Sequence, residues 1–414
     1  MDRRSVLAGL AAIPASPALA HFDPGAGPAD EAYWRTIAAQ YDLPSGVIQL
    51  ENGNFGAMAR PVWQAYGRAL ERVNRDTSLY ARRTFDPDLA RIRGRVAATL
   101  GVGADEIAFT RGATEALMAL ITGYNRLRAG DQVLFADLDY DSTQAAMTWL
   151  QGHRGVQAVK ISLPEPATRQ NLIDAYDQAL SRQPRVRMML LTQVSHRTGL
   201  VVPVGDIIEV ARHRGVDVIV DSAHAWGQLD FHLPDLKADF VGLTAQKWIG
   251  APLGVGLLYI RREHIGAIDT AAGAEADADH PIDQRVHTGT TNLAGFLALD
   301  AALDFQEAIG IAAKERRLRH LRDLWAERLR DHPGIDILTP SDARLTCAIS
   351  SFRLRGRTGA DQNRALAALL LERFGIFTVE RSGVASGGCV RVTPGAFTSE
   401  ADIDALIAAL KALA

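Results

Sequence analysis

Between residues 106 and 260 the chain repeats one pattern. A run of five to seven β-prone, largely apolar residues is followed, in most cases, by a stretch with helical apolar spacing. The runs are EIAFT (106–110), QVLFAD (132–137), VQAVKI (156–161), RMMLLTQ (187–193), VDVIVD (216–221), DFVGLT (239–244) and GVGLLYI (254–260). Strands apolar on both faces and separated by amphipathic helices predict a mainly parallel sheet of seven strands, covered by helices on either side. From Asn292 the character changes to a long helical pattern over 293–332. It is followed by LTCAISSFRL, a helix over 360–374, GIFTVERSG, GGCVRVTPG and a last helix over 400–413. This predicts a smaller α+β domain of antiparallel strands. The expected organisation is a leader over 1–20, a segment over 21–50 packing on the small domain, a large domain over 51–292 and a small one over 293–414. At 414 residues and 47% hydrophobic, the chain is large enough for more than one core.

In an open parallel sheet the loops beyond the strand carboxyl ends line the ligand site, and four features fall there. In FTRGATEAL a strand ends at Thr110 and a helix opens with Ala113, Thr114 and Glu115. Free N–H groups at such a helix start suit a phosphate, although an N-cap role for Thr114 is the commoner use of that residue type. In VDVIVDSAHAWG an apolar strand terminates in Asp221, with His224 three residues on. A carboxylate there either caps the next turn or holds a protonated ring nitrogen charged. In FVGLTAQKWIGAPLG, Thr244, Gln246 and Lys247 follow a strand. Lys247 sits among apolar residues and glycines, where burial lowers its pKa and makes it a usable amine; otherwise it snorkels to water. The other lysines, Lys160, Lys237, Lys314 and Lys411, lie in polar contexts that suit solvated side chains. In GGCVRVTPG, Arg391 is either a surface arginine or a bidentate clamp for a carboxylate. A phosphate cradle, a ring-supporting aspartate, an amine and a carboxylate clamp, in that order along the chain, describe pyridoxal phosphate acting on an amino acid.

Composition removes competing classes. A net charge of -3 and an isoelectric point near 6.4 carry none of the basic surplus that nucleic-acid or anionic-membrane binding leaves. Cys347 and Cys389 are too few for a disulfide framework and lack metal-site spacing, so both are expected to be buried and inert. No stretch reaches the roughly 18 apolar residues that span a bilayer. The start, MDRRSVLAGLAAIPASPALAHFD, has the Arg3–Arg4 pair, a short apolar run and Ala18-Leu19-Ala20. These are the parts of a twin-arginine export signal cleaved near Ala20, which places the mature chain in the periplasm. The alternative is an N-terminal helix that stays attached, with a cytoplasmic location.

The succession RGATEAL, DLDYDS, VSHRTGLVVPV, VDSAHAWG, TAQKWIGAPLGVG, GTTN and CVRVTP resembles the class V aminotransferases, fold type I pyridoxal phosphate enzymes, from about Leu50 to the C-terminus. VSHRTGL and LDYDS are most similar to the isopenicillin N epimerase-like branch. The resemblance implies that Lys247 forms the Schiff base with the cofactor, Asp221 pairs with its ring nitrogen and His224 bonds its phenolic oxygen. It also implies that Tyr140 stacks on the ring, with His196 nearby. Ala113, Thr114, Thr244 and Gln246 would hold the phosphate. Thr290 would reach the phosphate of a neighbouring subunit in a homodimer, and Arg391 would bind the substrate α-carboxylate. Desulfurases in this group carry a cysteine on the loop that here reads ERSGVASGG, so persulfide chemistry is not expected. The favoured activity is aminotransfer, with epimerisation or C–S lysis as alternatives and a non-catalytic binding protein as the competing class.

Overall fold

The computed structural model describes residues 22–414 apart from 24 and 276, so the expected export signal lies outside the described residues. Helix α1 (Glu31–Ala38) is capped by Asp30 and buries Trp34 and Ile37. After the short strand β1 (Ile48–Gln49), α2 (Arg60–Arg83) opens with Pro61 in its first turn, where a missing N–H costs nothing, and α3 (Phe85–Leu100) follows.

The alternating region then builds β2 (Ile107–Thr110), α4 (Ala113–Gly123), β3 (Gln132–Ala136), α5 (Asp141–Arg154), β4 (Gln157–Ile161), α6 (Arg169–Arg182), β5 (Val186–Thr192), α7 (Val204–Arg212), β6 (Asp217–Asp221), β7 (Phe240–Thr244) and β8 (Gly256–Ile260). These strands form one sheet in the order β2-β8-β7-β6-β5-β3-β4. All run parallel except β8, which is antiparallel to both β2 and β7. No helix separates β7 from β8, so β8 returns directly beside β7, and the loop between them carries Lys247. Both sheet faces are buried. Along β6, Val218 and Val220 enter one core while Ile219 enters the other, and Met189 and Leu191 of β5 alternate with Met188 and Leu190 in the same way.

The helical pattern over 293–332 is three helices rather than one: α8 (Leu293–Leu297), α9 (Leu299–Ile309) and α10 (Ile311–Leu329), broken at Ala298 and Gly310. Phe296, Leu303 and Phe305 pack into the core of the large sheet. Leu321, Trp325 and Leu329 of α10 instead belong to a second core. That core is closed by β9 (Ile335–Ile337), β10 (Ser350–Leu354), α11 (Ala360–Phe374), β11 (Ile376–Phe377), β12 (Val379–Arg381), β13 (Cys389–Val392) and α12 (Glu400–Leu413). Its antiparallel sheet has the order β12-β13-β10-β9, and β1 pairs with β11, tying the N-terminal segment to this part. Among the described residues no helix is long and apolar enough to cross a membrane.

Candidate active site

One cleft of about 870 Å³ collects the strand ends of the large sheet and the edge of the small one. It is lined by Ala113, Thr114, Tyr140, His196, Asp221, His224, Thr244, Gln246, Lys247 and Arg391, so ten of the eleven residues expected from the sequence meet there. Thr290 does not. It is exposed in the loop between Val286 and Asn292, away from the cleft of its own chain.

At one end α4 begins with no side-chain cap. Gly112 holds the N-cap position, so Thr114 lies inside the first turn and is not the cap that its residue type suggests. The first-turn N–H groups therefore lack a side-chain partner and open on the cleft. A Cβ on Gly256 would lie 2.4 Å from the Gly112 Cα, so only glycine lets β8 start against this helix mouth. Beside it, the Thr244 hydroxyl donates to the Val255 carbonyl at 3.3 Å, and Gln246 Oε1 accepts from the Gly254 N–H at 2.9 Å.

In the middle stand Asp221, His224 and Lys247. Asp221 ends β6 and accepts the Ala223 N–H at 2.9 Å, so the turn-capping role is present. The residue is 5% exposed, and burial raises its pKa against the opposing pull of that hydrogen bond and of Lys247. Lys247 Nζ lies 2.9 Å from His224 Nε2. Burial brings the Lys247 pKa down to about 8, helped by Arg391 and Arg381 and opposed by Asp221 and Glu51. The amine is therefore partly unprotonated at neutral pH. Burial, aided by Lys247 and Arg391, holds His224 neutral, well below the ordinary imidazole value.

The third region faces the small domain. Arg391 on β13 is 1% exposed, and burial pulls its pKa down to about 10. It donates to the His196 carbonyl at 2.7 Å and pairs with Glu51, which also takes Arg381 at 3.3 Å. The Tyr140 ring meets His196 edge-on, with centroids 5.1 Å apart, and stays 39% exposed. The Asp139 carboxylate holds this turn by accepting from the Ala136 and Thr192 N–H groups. Burial and the surrounding cations Arg197, Arg391, Arg381 and Lys247 keep His196 neutral, and its Nδ1 has no partner.

The sequence reading takes Asn52–Gly56 as a turn before a helix and gives neither it nor Glu51 a part in the site. Gly56 donates its N–H to the Gln246 carbonyl at 2.8 Å, and a Cβ there would sit 1.9 Å from the Lys247 carbonyl oxygen. The signal is the pair of glycines in ENGNFG, a motif that by itself marks a turn. Lys314 is a correction of a different kind. It is 3% exposed, donates to Gln306 Oε1 at 2.7 Å and to the Trp248 carbonyl, and burial lowers its pKa to about 7. Its polar helical context hid a side chain that runs beneath the Lys247 loop.

These features fit a phosphorylated heterocyclic aldehyde. The uncapped helix start suits its phosphate, and the buried Asp221 carboxylate suits a protonated ring nitrogen. The His196 Nδ1 is buried at the cleft without a partner among the described residues. Lys247 supplies the amine. The cysteines take no part: both are buried, and burial raises the thiols to about 12 for Cys347 and about 11 for Cys389.

Residues 62–406 match the model of the family described as aminotransferase class-V. Isopenicillin N epimerase of Amycolatopsis lactamdurans is 29% identical over 398 residues, covering 92% of this chain and 98% of that protein. A probable cysteine desulfurase of Xylella fastidiosa is 28% identical over 289 residues, or 67% of each chain. Among solved structures, the cysteine desulfurase CsdA of Escherichia coli superposes with a TM-score of 0.77 at 23% identity, over 92% of this chain and 98% of that one. The cystine C–S lyase C-DES bound to cysteine persulfide gives 0.77 at 22% identity, over 88% and 97%. The two structural likenesses show a shared fold type I architecture.

Proposed function

The chain belongs to the class V aminotransferase family of pyridoxal phosphate enzymes, and from that premise we propose that it transfers the amino group of an amino acid or amino-acid-containing small molecule. The observation that carries this reading is the single poised base. Lys247 is buried, has a pKa of about 8 and lies 2.9 Å from His224, so it can take a proton at neutral pH and return it. Pyridoxal phosphate, when bound, withdraws electrons from the substrate α-carbon. The chain does the rest. Asp221 keeps a ring nitrogen protonated, the α4 start and Thr244 hold a phosphate, and Arg391 orients a carboxylate so that the α-hydrogen faces Lys247. The neutral His196 has no proton to spare at pH 7 for the opposite face.

A second reading, epimerisation, is favoured by Tyr140. Its phenol lines the cleft beside His196, and the epimerase relatives match almost end to end. A third reading, C–S lysis, is favoured by the desulfurase relatives. It would proceed without a persulfide on the chain, because Cys389 is 0% exposed on β13, and it would show as loss of a sulfur-bearing group from the substrate. Incubation with amino-acid and amino-acid-containing peptide panels, followed by mass and chiral analysis, separates the readings. A 2-oxo acid together with the amine form of the cofactor is expected. Unchanged mass with inverted chirality would replace aminotransfer by epimerisation.

The same reading includes a homodimer, with Thr290 reaching the partner's phosphate site. The exposure of Thr290, and of the apolar Phe55, Trp63 and Leu253, supports it. Sedimentation would show a dimer, and a monomer would reject it. Export through Arg3 and Arg4 to the periplasm is also proposed, from the sequence alone. Replacing both by lysine should leave the protein in the cytoplasm.

A further inference from the structure

Trp248, the residue after the reactive lysine, has no part in the chemistry above, yet it touches its partner. The residue is 2% exposed, and its indole N–H donates to His224 Nδ1 at 3.4 Å. An indole N–H only donates, so Nδ1 must accept. His224 is neutral in this surrounding, and a neutral imidazole that accepts at Nδ1 carries its proton on Nε2. Nε2 lies 2.9 Å from Lys247 Nζ. The histidine proton therefore points at the amine, and an amine that accepts a proton bond is the free base.

The indole is held in register by a buried brace. Lys314 donates to the Trp248 carbonyl and to Gln306 Oε1, and Gln306 Nε2 donates to the Ile249 carbonyl at 2.9 Å. We propose that Trp248 is a positioning residue that fixes His224 as its Nε2–H tautomer and thereby favours the unprotonated form of the Lys247 amine. Lys314 and Gln306 anchor the backbone that carries it. The inference rests on Lys247 being the reactive amine. Without the indole N–H, His224 can carry its proton on Nδ1 and offer the Nε2 lone pair to a Lys247 ammonium, which raises the lysine pKa.

The test uses the full chain with cofactor removed. Nitrogen-15 NMR of labelled histidine reads the His224 tautomer. The pH dependence of Lys247 modification by trinitrobenzenesulfonate, followed by peptide mass analysis, reads the amine. In Trp248→Phe the Nδ1 resonance should move from the bare toward the protonated position, and Lys247 modification at pH 7 should fall about fivefold, the worth of one hydrogen bond. Benzothienylalanine at 248 keeps the indole shape without the N–H and should behave as phenylalanine does, which covers a Trp248→Phe chain that misfolds. In a His224→Gln background no tautomer exists to be set, so adding Trp248→Phe should leave modification unchanged. Asp221, Arg391, Arg381, Glu51 and His196 also face Lys247 and are common to every variant. An unmoved His224 resonance in Trp248→Phe, or an equal loss in the His224→Gln background, would overturn the proposal. Neither readout needs substrate or cofactor. Failure of the Lys247 reading itself would show separately, as a cofactor that borohydride does not fix to the chain.

Discussion

Replacing Lys314 by methionine should change stability with a sign and size that depend on pH. In the fold this amine is buried, faces no carboxylate among the described residues and has a pKa of about 7, against 10.5 when exposed. Its folded pKa is depressed, so its contribution is complete only above 10.5 and is lost as pH falls toward 7. Within that window the wild-type chain gains about 1.4 kcal/mol per pH unit from this group. At pH 7.5 the wild type carries a penalty of about 4 kcal/mol for holding this amine largely unprotonated, three pH units below the exposed value. Methionine removes that penalty but leaves the Trp248 carbonyl and Gln306 Oε1 unpaired, a loss of about 2 kcal/mol each. The two effects cancel at pH 7.5. At pH 9.5 the penalty has shrunk to about 1 kcal/mol, and the variant should be about 2–3 kcal/mol less stable than wild type. Urea unfolding of both chains at pH 7.5, 8.5 and 9.5 measures the difference, with cofactor removed so that binding adds nothing. Lys247 and every other titrating group are common to both chains and drop out. A difference of any size that stays constant across these pH values would refute the reasoning.

Lys247→Ala should abolish covalent fixation of the cofactor by borohydride, read by the mass of the reduced chain. Asp221→Asn should weaken aminotransfer about a hundredfold, the worth of one hydrogen bond to a charged partner, in single-turnover kinetics. Arg391→Lys keeps the charge but loses the bidentate fork, so KM for the amino acid should rise about tenfold with a smaller change in kcat. Gly56→Ala places a methyl against the Lys247 carbonyl and should lower stability by about 1–3 kcal/mol in urea unfolding.

The strand ends were legible because a strand buried on both faces has a continuous apolar signature. Asp221 and Thr244 each end such a run and each stand at the cleft. Lys247 was legible because a lone cation among glycines and apolar residues contradicts its neighbours. Lys314 was not, since its charge falls in a polar helical stretch, IAAKERRLRH, that reads as a solvated face. Only the crossing of α10 under the β7–β8 loop buries it. Glu51 was hidden for a related reason: its partners Arg391 and Arg381 lie more than three hundred residues away, and a single acidic residue before a turn carries no pattern. The stretch over 293–332 read as one helix because apolar periodicity continues across Gly310, while the packing partner changes there from one core to the other.

The pairing of Glu51 with Arg391 gives the cleft a property of its own. The buried guanidinium is paired within the chain, by a carboxylate that it shares with Arg381, which offsets part of the cost of burying it. On the proposed role of Arg391, capture of a substrate carboxylate would then be an exchange of one carboxylate for another. An amine without a carboxylate offers nothing to exchange and leaves Glu51 in place. Affinity reflects the difference between two similar pairings, so selectivity for amino acids over simple amines can be high while product still leaves readily.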